Sequence, residues 1–276
     1  MLRPRVLALA TTLALVIAVV GMPGAAAAQQ ASGPVNLEWF GWSFFRFTSP
    51  EGKVILTNPF AANPDSPIKA EDITAADLIF AADGHGDELG STIAIAQNTG
   101  AKTWTPFELG SWLMEQGVPQ DQVIRSNPGG RYKLGNVTLH MVGSVHGSGL
   151  PSPTPQTPYG GPAAGVFVTF ENGWTVYFSG SSAATTDQGL WGQLYKPDVA
   201  ILHMGADHEP MDIAMSVKLL QTENPNLKMV IPHHNRVNPT AGQTTVAEVQ
   251  AAIDSMGLGV QVMQPNLSQV YSFDKS

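Results

Sequence analysis

The spacing of apolar and polar residues changes along the chain. Early segments alternate or run short and apolar: "VNLEWF" (35–40), "FFRFT" (44–48), "KVILTN" (53–58) and "ADLIFAA" (76–82) predict strands, with "SPEGK" as a hairpin turn between the second and third. Helical spacing then enters. "GSTIAIAQNTG" predicts a helix closed by Gly100, and "FELGSWLMEQG" one ending at Gly117, with "AKTWT" as a strand between them. "GNVTLHMVGSVH" (135–146) alternates as a strand and runs into a loop. Residues 165–180 form a hairpin around Asn172-Gly173, a strong turn signal. "PDVAILHMG" and "NLKMVIPHHN" are apolar enough for buried strands, while "MDIAMSVKLLQTE" and "TTVAEVQAAIDSMG" have helical spacing. Two sheets packed face to face with helices on both outer sides is the layered arrangement this order implies.

Two stretches break the pattern. Val6–Val20 is an apolar run behind two arginines, followed by small residues ending "AAAAQQ". That order predicts a signal peptide over 1–28, with residues 29–276 as a single domain of an exported protein, periplasmic or secreted. The run is short for a membrane span of about 20 residues, and no membrane contact is expected after cleavage. Residues 147–164, "GSGLPSPTPQTPYGGPAA", are rich in Pro and Gly, and a loop this long often serves as a lid or pocket wall. Tyr159 within it, and Trp42, are expected to line a pocket.

Charge and composition narrow the chemistry. The formal charge is −8, and falls to −10 without the leader's two arginines. No basic cluster remains to bind nucleic acid; a small molecule is the expected partner. There is no cysteine, so any metal ligands must be His, Asp or Glu. Those residues gather where apolar runs end. "DGHGDE" follows the fourth strand, His146 the later alternating strand, and His203 and His233-His234 the last two buried strands. Strand ends are where α/β folds place their sites. The "GHG" within the loop lacks a lysine and is no phosphate loop.

The words "LEWFGWSFF", "NPF", "DGHGDE", "HGSG", "YFSGSS", "LYKPDVAIL" and "VIPHHN", in this order, resemble the metal-dependent hydrolases of the metallo-β-lactamase fold, in the branch of ascorbate-6-phosphate lactonase-like proteins. The resemblance implies an α/β, four-layer αββα sandwich with a divalent metal, zinc most often and manganese or iron in some members, that activates water. It also places ligands. A first position takes Asp83, His85 and His146; a second takes Asp87, Glu88 and His234, with Asp87 or Glu88 as general base. Several positions depart from the family pattern. Asp83 and Glu88 stand where the family has histidine, and Ser181 where it has a bridging aspartate. Trp42 replaces a histidine, and Asn58 an aspartate.

These departures leave three readings. One is a retuned, mononuclear metal site hydrolysing an ester, lactone, amide or phosphodiester. Another is a catalytically silent binding or scaffold protein that uses the pocket under the 147–164 loop and holds no metal, and the third is a metal-binding protein without turnover. If no cation binds, the crowded carboxylates need a proton or a nearby base such as Arg236. His203 and His208 are candidates to replace a lost ligand, the latter in a loop with Asp207 and Glu209. His233 is expected to point away from His234, as strand neighbours do, into a buried or supporting position. His140 is expected to be structural.

Overall fold

The structure, a computed structural model, describes residues 33–205 and 208–275; the leader expected over 1–28, and Asp207, lie outside them. The first half runs β1 (Val35–Trp39), β2 (Phe45–Thr48), β3 (Val54–Thr57), β4 (Leu78–Phe80), α1 (Gly86–Leu89), α2 (Thr92–Thr99), β5 (Lys102–Pro106), α3 (Phe107–Glu115) and β6 (Val123–Ser126). The second runs β7 (Arg131–Leu134), β8 (Val137–Gly143), β9 (Ala164–Thr169), β10 (Thr175–Phe178), α4 (Asp187–Tyr195), β11 (Val199–His203), α5 (Pro210–Gln221), β12 (Met229–His233), α6 (Val246–Ser255), β13 (Gln261–Val262) and β14 (Tyr271–Phe273).

The described strands form two seven-stranded sheets, ordered β14-β1-β2-β3-β4-β5-β6 and β13-β12-β11-β10-β9-β8-β7. Each sheet joins an antiparallel half to a parallel half. The parallel pairings bring the ends of β3 and β4 to one rim in the first sheet, and those of β10, β11 and β12 together in the second. β8 reaches the same rim by two antiparallel steps through β9. The last strand returns to the start, with Val35 paired to Phe273.

Apolar faces decide the layers. In β1 the alternate residues Val35, Leu37 and Trp39 are buried and face the opposite sheet. Phe178 of β10 sits at the centre of the inter-sheet core, its ring edge-on to Phe45 and Phe80 at 6.3 Å each, a favourable aromatic geometry. A second apolar cluster joins β10–β12 to α5 and α6, and a third joins β3 and β4 to α2 and α3. The result is the four-layer αββα sandwich expected from the sequence.

Elements that the pattern missed are exposed or short. β7 has only every second residue partly covered, as an edge strand does, so no apolar run marks it. Helix α4, "DQGLWGQLY", carries two glycines that depress its helical signal. One of them is needed: a Cβ on Gly192 would lie 2.3 Å from the Leu220 carbonyl of α5. The predicted caps and turn are present. Gly100 closes α2 in the left-handed region, and Asn172 Oδ1 accepts from Trp174 N (3.0 Å) beside Gly173 at φ 82°.

Alanine normally improves a helix by about 1 kcal/mol over glycine. Gly192→Ala is expected to do the reverse, destabilising the fold by about 1–3 kcal/mol through the forced separation of α4 and α5. Urea unfolding of the two proteins side by side checks the sign.

Candidate metal centre

β4 delivers the site. Its last residues pass into Ala81-Ala82, and Ala82 N donates to the buried Asn58 Oδ1 (2.8 Å), tying the end of β3 to the loop. Asp83 follows, fully buried, its Oδ1 accepting from His85 N (2.9 Å). This local turn, which Asp favours, swings His85 back so that its Nδ1 lies 3.3 Å from Asp83 Oδ1. His146, beyond β8, brings its ring perpendicular to that of His85 at 5.1 Å. One donor atom from each of Asp83, His85 and His146 falls within 4.8 Å of the others. Asp83 Oδ2 is buried with no hydrogen-bond partner among the described residues.

The second cluster is held by α1, a single turn in which Asp87 and Glu88 project in different directions. Glu88 is buried, and Ser181, after β10, donates to its Oε1. Asp87 keeps 40% of its side chain exposed and accepts from Trp42 Nε1 (3.2 Å). His234 Nε2 lies 3.2 Å from Glu88 Oε1 and 3.6 Å from Asp87 Oδ2. Burial opposes a charge on His234, but the Glu88 carboxylate and the contacts with both acids outweigh it and raise its pKa to about 9. Its contact with His234 in turn holds Asp87 well below the usual carboxylate range, against its partial burial.

Three expectations are corrected here. His233 and His234 do not point apart. β12 ends at His233, and His234 adopts φ 62°, so the two rings meet with Nδ1 atoms 2.8 Å apart. Only one proton fits between them, and the His234 cation supplies it. His233 is fully buried, stacked on Phe178 at 5.0 Å, and burial holds its pKa far down. Arg236 is not the counter-charge for the carboxylates; its Nε donates to Asp65 Oδ2 (3.1 Å), and His234 takes that role instead. Tyr159 is no pocket wall. It is 68% exposed and pairs across its own loop with Gly149.

The 147–164 loop still shapes the site by its other residues. Gly147 and Gly149 lie against the His85 ring, and Ser148 Oγ accepts from Gly84 N (3.2 Å). Ser148 carried no signal in the sequence beyond its place beside His146. His203, buried at the end of β11, stands between the clusters, 5.9 Å from the His146 ring and 4.6 Å from that of His234. Burial, then the His234 charge, pushes its pKa down to about 2, so it is neutral. His208 packs edge-on against it at 4.3 Å. His140, far from the site, stacks on Tyr195. Beside His203 and His234 opens a cavity of about 230 Å³, walled by Trp42, Met204, Asn235 and Arg236.

Known proteins resemble this chain in sequence and fold. Residues 36–234 match the family model described as "Beta-lactamase superfamily domain". A UPF0173 metal-dependent hydrolase of Rubrobacter xylanophilus is 32% identical over 86% of this chain and 97% of its own length. Another, of Myxococcus xanthus, is 34% identical over 77% and 76%. The chain belongs to the UPF0173 metal-dependent hydrolase family. Among solved structures, Igni18, a metallo hydrolase from Ignicoccus hospitalis, superposes with a TM-score of 0.73 over 88% of this chain and all of its own, at 24% identity. An isothiocyanate hydrolase from Delia radicum gut bacteria gives 0.65 at 17% identity, over 87% of this chain and 99% of its own. These two share the fold.

The family implies a divalent metal, and the first cluster of this hydrolase fits one. Two imidazoles and a carboxylate form a competent donor set. His146 stands at the solvent edge, yet its covered face and the neighbouring His85 hold its pKa below the ordinary value, leaving it neutral as a ligand must be. Asp83 needs a cation: without one, burial and then the Glu88 charge raise its pKa to about 8. The second cluster does not fit in the same way. Glu88 Oε1 is taken by Ser181 and His234, although its Oε2 is buried without a partner among the described residues, and without a metal His234 is held by both acids as a cation.

The pH dependence follows. The metal-free fold holds a proton on Asp83 that the unfolded chain, with its ordinary value of 3.8, gives up. Stability from this group therefore falls as pH climbs from 3.8 towards 8. His234, raised from 6.5 to about 9, contributes stability that is complete below 6.5 and lost through 9. Both slopes have the same sign. Melting of metal-stripped protein is expected to decline steadily from weakly acid to alkaline pH. Asp83→Asn should flatten the profile and raise the melting temperature at pH 8 by several degrees. An Asp83→Asn curve that still fell as steeply would contradict the assignment.

Proposed function

We propose that this chain is an exported hydrolase working with one divalent metal, on a small molecule carrying an ester, lactone, amide or phosphodiester bond. The observation that carries it is the convergence of Asp83, His85 and His146 around a buried, unpartnered carboxylate oxygen. Zinc suits two imidazoles and one carboxylate, and manganese(II) or iron(II) are its competitors. Export is supported by the leader pattern over 1–28. A lactone is the bond favoured by the resemblance to lactonase-like proteins.

A metal bound there supplies Lewis-acid polarisation of the scissile group and acidification of water. The chain's own groups do the rest. Asp87 is ionised and partly exposed, so its carboxylate can accept a hydrogen bond from the attacking water and orient it; held so far below the usual carboxylate range, it positions that water rather than taking its proton. Trp42 fixes Asp87 from one side and His234 from the other. The proton on His234 Nε2 lies beside the cavity, placed to pass to a leaving group or to stabilise developing negative charge. Glu88, locked by Ser181, keeps His234 charged and does not reach substrate.

A second reading, a silent binding protein, draws on one specific observation: Ser181 and His234 both engage Glu88, which stands at a second-metal ligand position. Metal analysis by mass spectrometry separates the readings. After loading with zinc, manganese or iron and desalting, the wild type is expected to keep about one equivalent per chain, and a His85→Ala/His146→Ala variant none. Retention of no metal by the wild type would sink the proposal. Retention without turnover of an ester, lactone, amide and phosphodiester panel would instead favour a metal-binding protein without catalysis. In an active preparation Asp87→Asn should lower kcat by about 10²-fold or more with little change in KM.

A further inference from the structure

The cavity beside His234 does not end at Arg236. A second cavity of about 280 Å³ adjoins it, and the two share Met204, Asn235, Arg236 and Thr244. Their walls are mainly apolar: Trp42 and Met204 near the acids, Val237 and Pro239 beyond. Within this groove stands one guanidinium. Asp65 holds Arg236 by its Nε alone (3.1 Å), and also accepts from Val237 N (3.4 Å), so the side chain is pinned at its base. Nη1 and Nη2 make no hydrogen bond among the described residues. That leaves the two-pronged end, the part of arginine suited to carboxylate or phosphate oxygens. Next to it, Asn235 is 95% buried, and its Oδ1 has no partner among the described residues while its Nδ2 donates to Gln264. As placed, that free end is an acceptor; only with the Asn235 and Gln264 amides both turned does an N–H face an anion, so the charge recognition rests on Arg236.

The geometry points to an amphiphilic anion as the ligand of this groove: an apolar body lying over Trp42 and Met204, and a carboxylate or phosphate received by Arg236 with Asn235 beside it. Calling that molecule the substrate rests on the hydrolytic reading above, with the scissile bond towards His203 and His146 and the anionic group at the far end. Its binding does not. A neutral ligand of the same shape leaves the guanidinium fork unmatched, and covering such a group unpaired is costly.

The test uses octanoate and octanamide, which share an apolar chain and differ in charge, titrated calorimetrically into metal-stripped full-length mature protein. Wild type is expected to prefer octanoate by about tenfold, the gain of one charge-assisted pairing. Arg236→Gln should erase the preference while binding octanamide as wild type does, which also shows that the variant is folded. Should Arg236→Gln fail to bind octanamide, Arg236→Lys decides: it keeps the charge and should bind octanoate more weakly than wild type because the fork is lost. The His85→Ala/His146→Ala variant should keep the full preference. Equal binding of both probes by wild type overturns the inference. So does a preference that survives Arg236→Gln, which would place the anion at His234, or one that disappears with His85 and His146. Because no metal or turnover is read, the groove can fail while the hydrolase reading stands, and the reverse.

Discussion

Burying three carboxylates in one place is the constraint around which this molecule is organised. Asp83 and Glu88 are taken out of water and Asp87 is partly so, all within one loop where the two sheets meet. An uncompensated buried charge costs several kcal/mol, so each must find a partner or a proton. His234 serves Glu88 and Asp87 together, and Asp83 is left to a proton or a cation. The neighbouring histidines are tuned accordingly. His203 and His233 are held neutral, partly by the same His234 charge that the acids create. One cation in the right place thus helps set the protonation of Asp87, His203 and His233 around it.

That placement draws on backbone conformations that ordinary side chains avoid. Trp42, Asn58 and His234 all have positive φ, at 54°, 40° and 62°. Each is braced by the core behind it. Trp39 Nε1 donates to Trp42 O (2.8 Å), Asn58 N to Phe80 O (2.8 Å), and Met204 N to His233 O (2.8 Å). Strain of this kind survives only where surrounding structure dictates it. The inter-sheet packing around Phe178, Phe80 and Trp39 therefore acts on the chemistry through the backbone, and Phe178 also through its stacking on His233.

The sequence showed the sandwich because its strands are buried on regular faces and its helices have well-marked ends, as at Gly100 and Asn172-Gly173. It also showed the first cluster: Asp83 and His85 are close in sequence, and His146 marks the end of a clear strand. It failed where contacts cross the chain. Nothing local says that Trp42 will donate to a residue 45 positions on, or Ser181 to one 93 positions back. The His233-His234 pair misled because strand alternation stops one residue sooner than the apolar run suggests. Arg236 looked like a partner for the nearest acids until the fold brought Asp65, 171 residues away, against it. β6, β7 and α4 were silent for the opposite reason, since elements at an edge or on an outer face need little apolar patterning.

The return of β14 to β1 has a directional consequence. Val35 and Phe273 face each other where β2 ends and β3 and β4 begin, whereas the acids and imidazoles collect where β4, β11 and β12 end. Lys275 bridges to Asp198, just ahead of β11, on that same far side. Gly33 and Lys275 thus both lie at the floor of the sandwich, away from the mouth. A fusion partner, a purification tag or a solid support attached through either end would press on the floor and leave the mouth turned outward, open to whatever diffuses past.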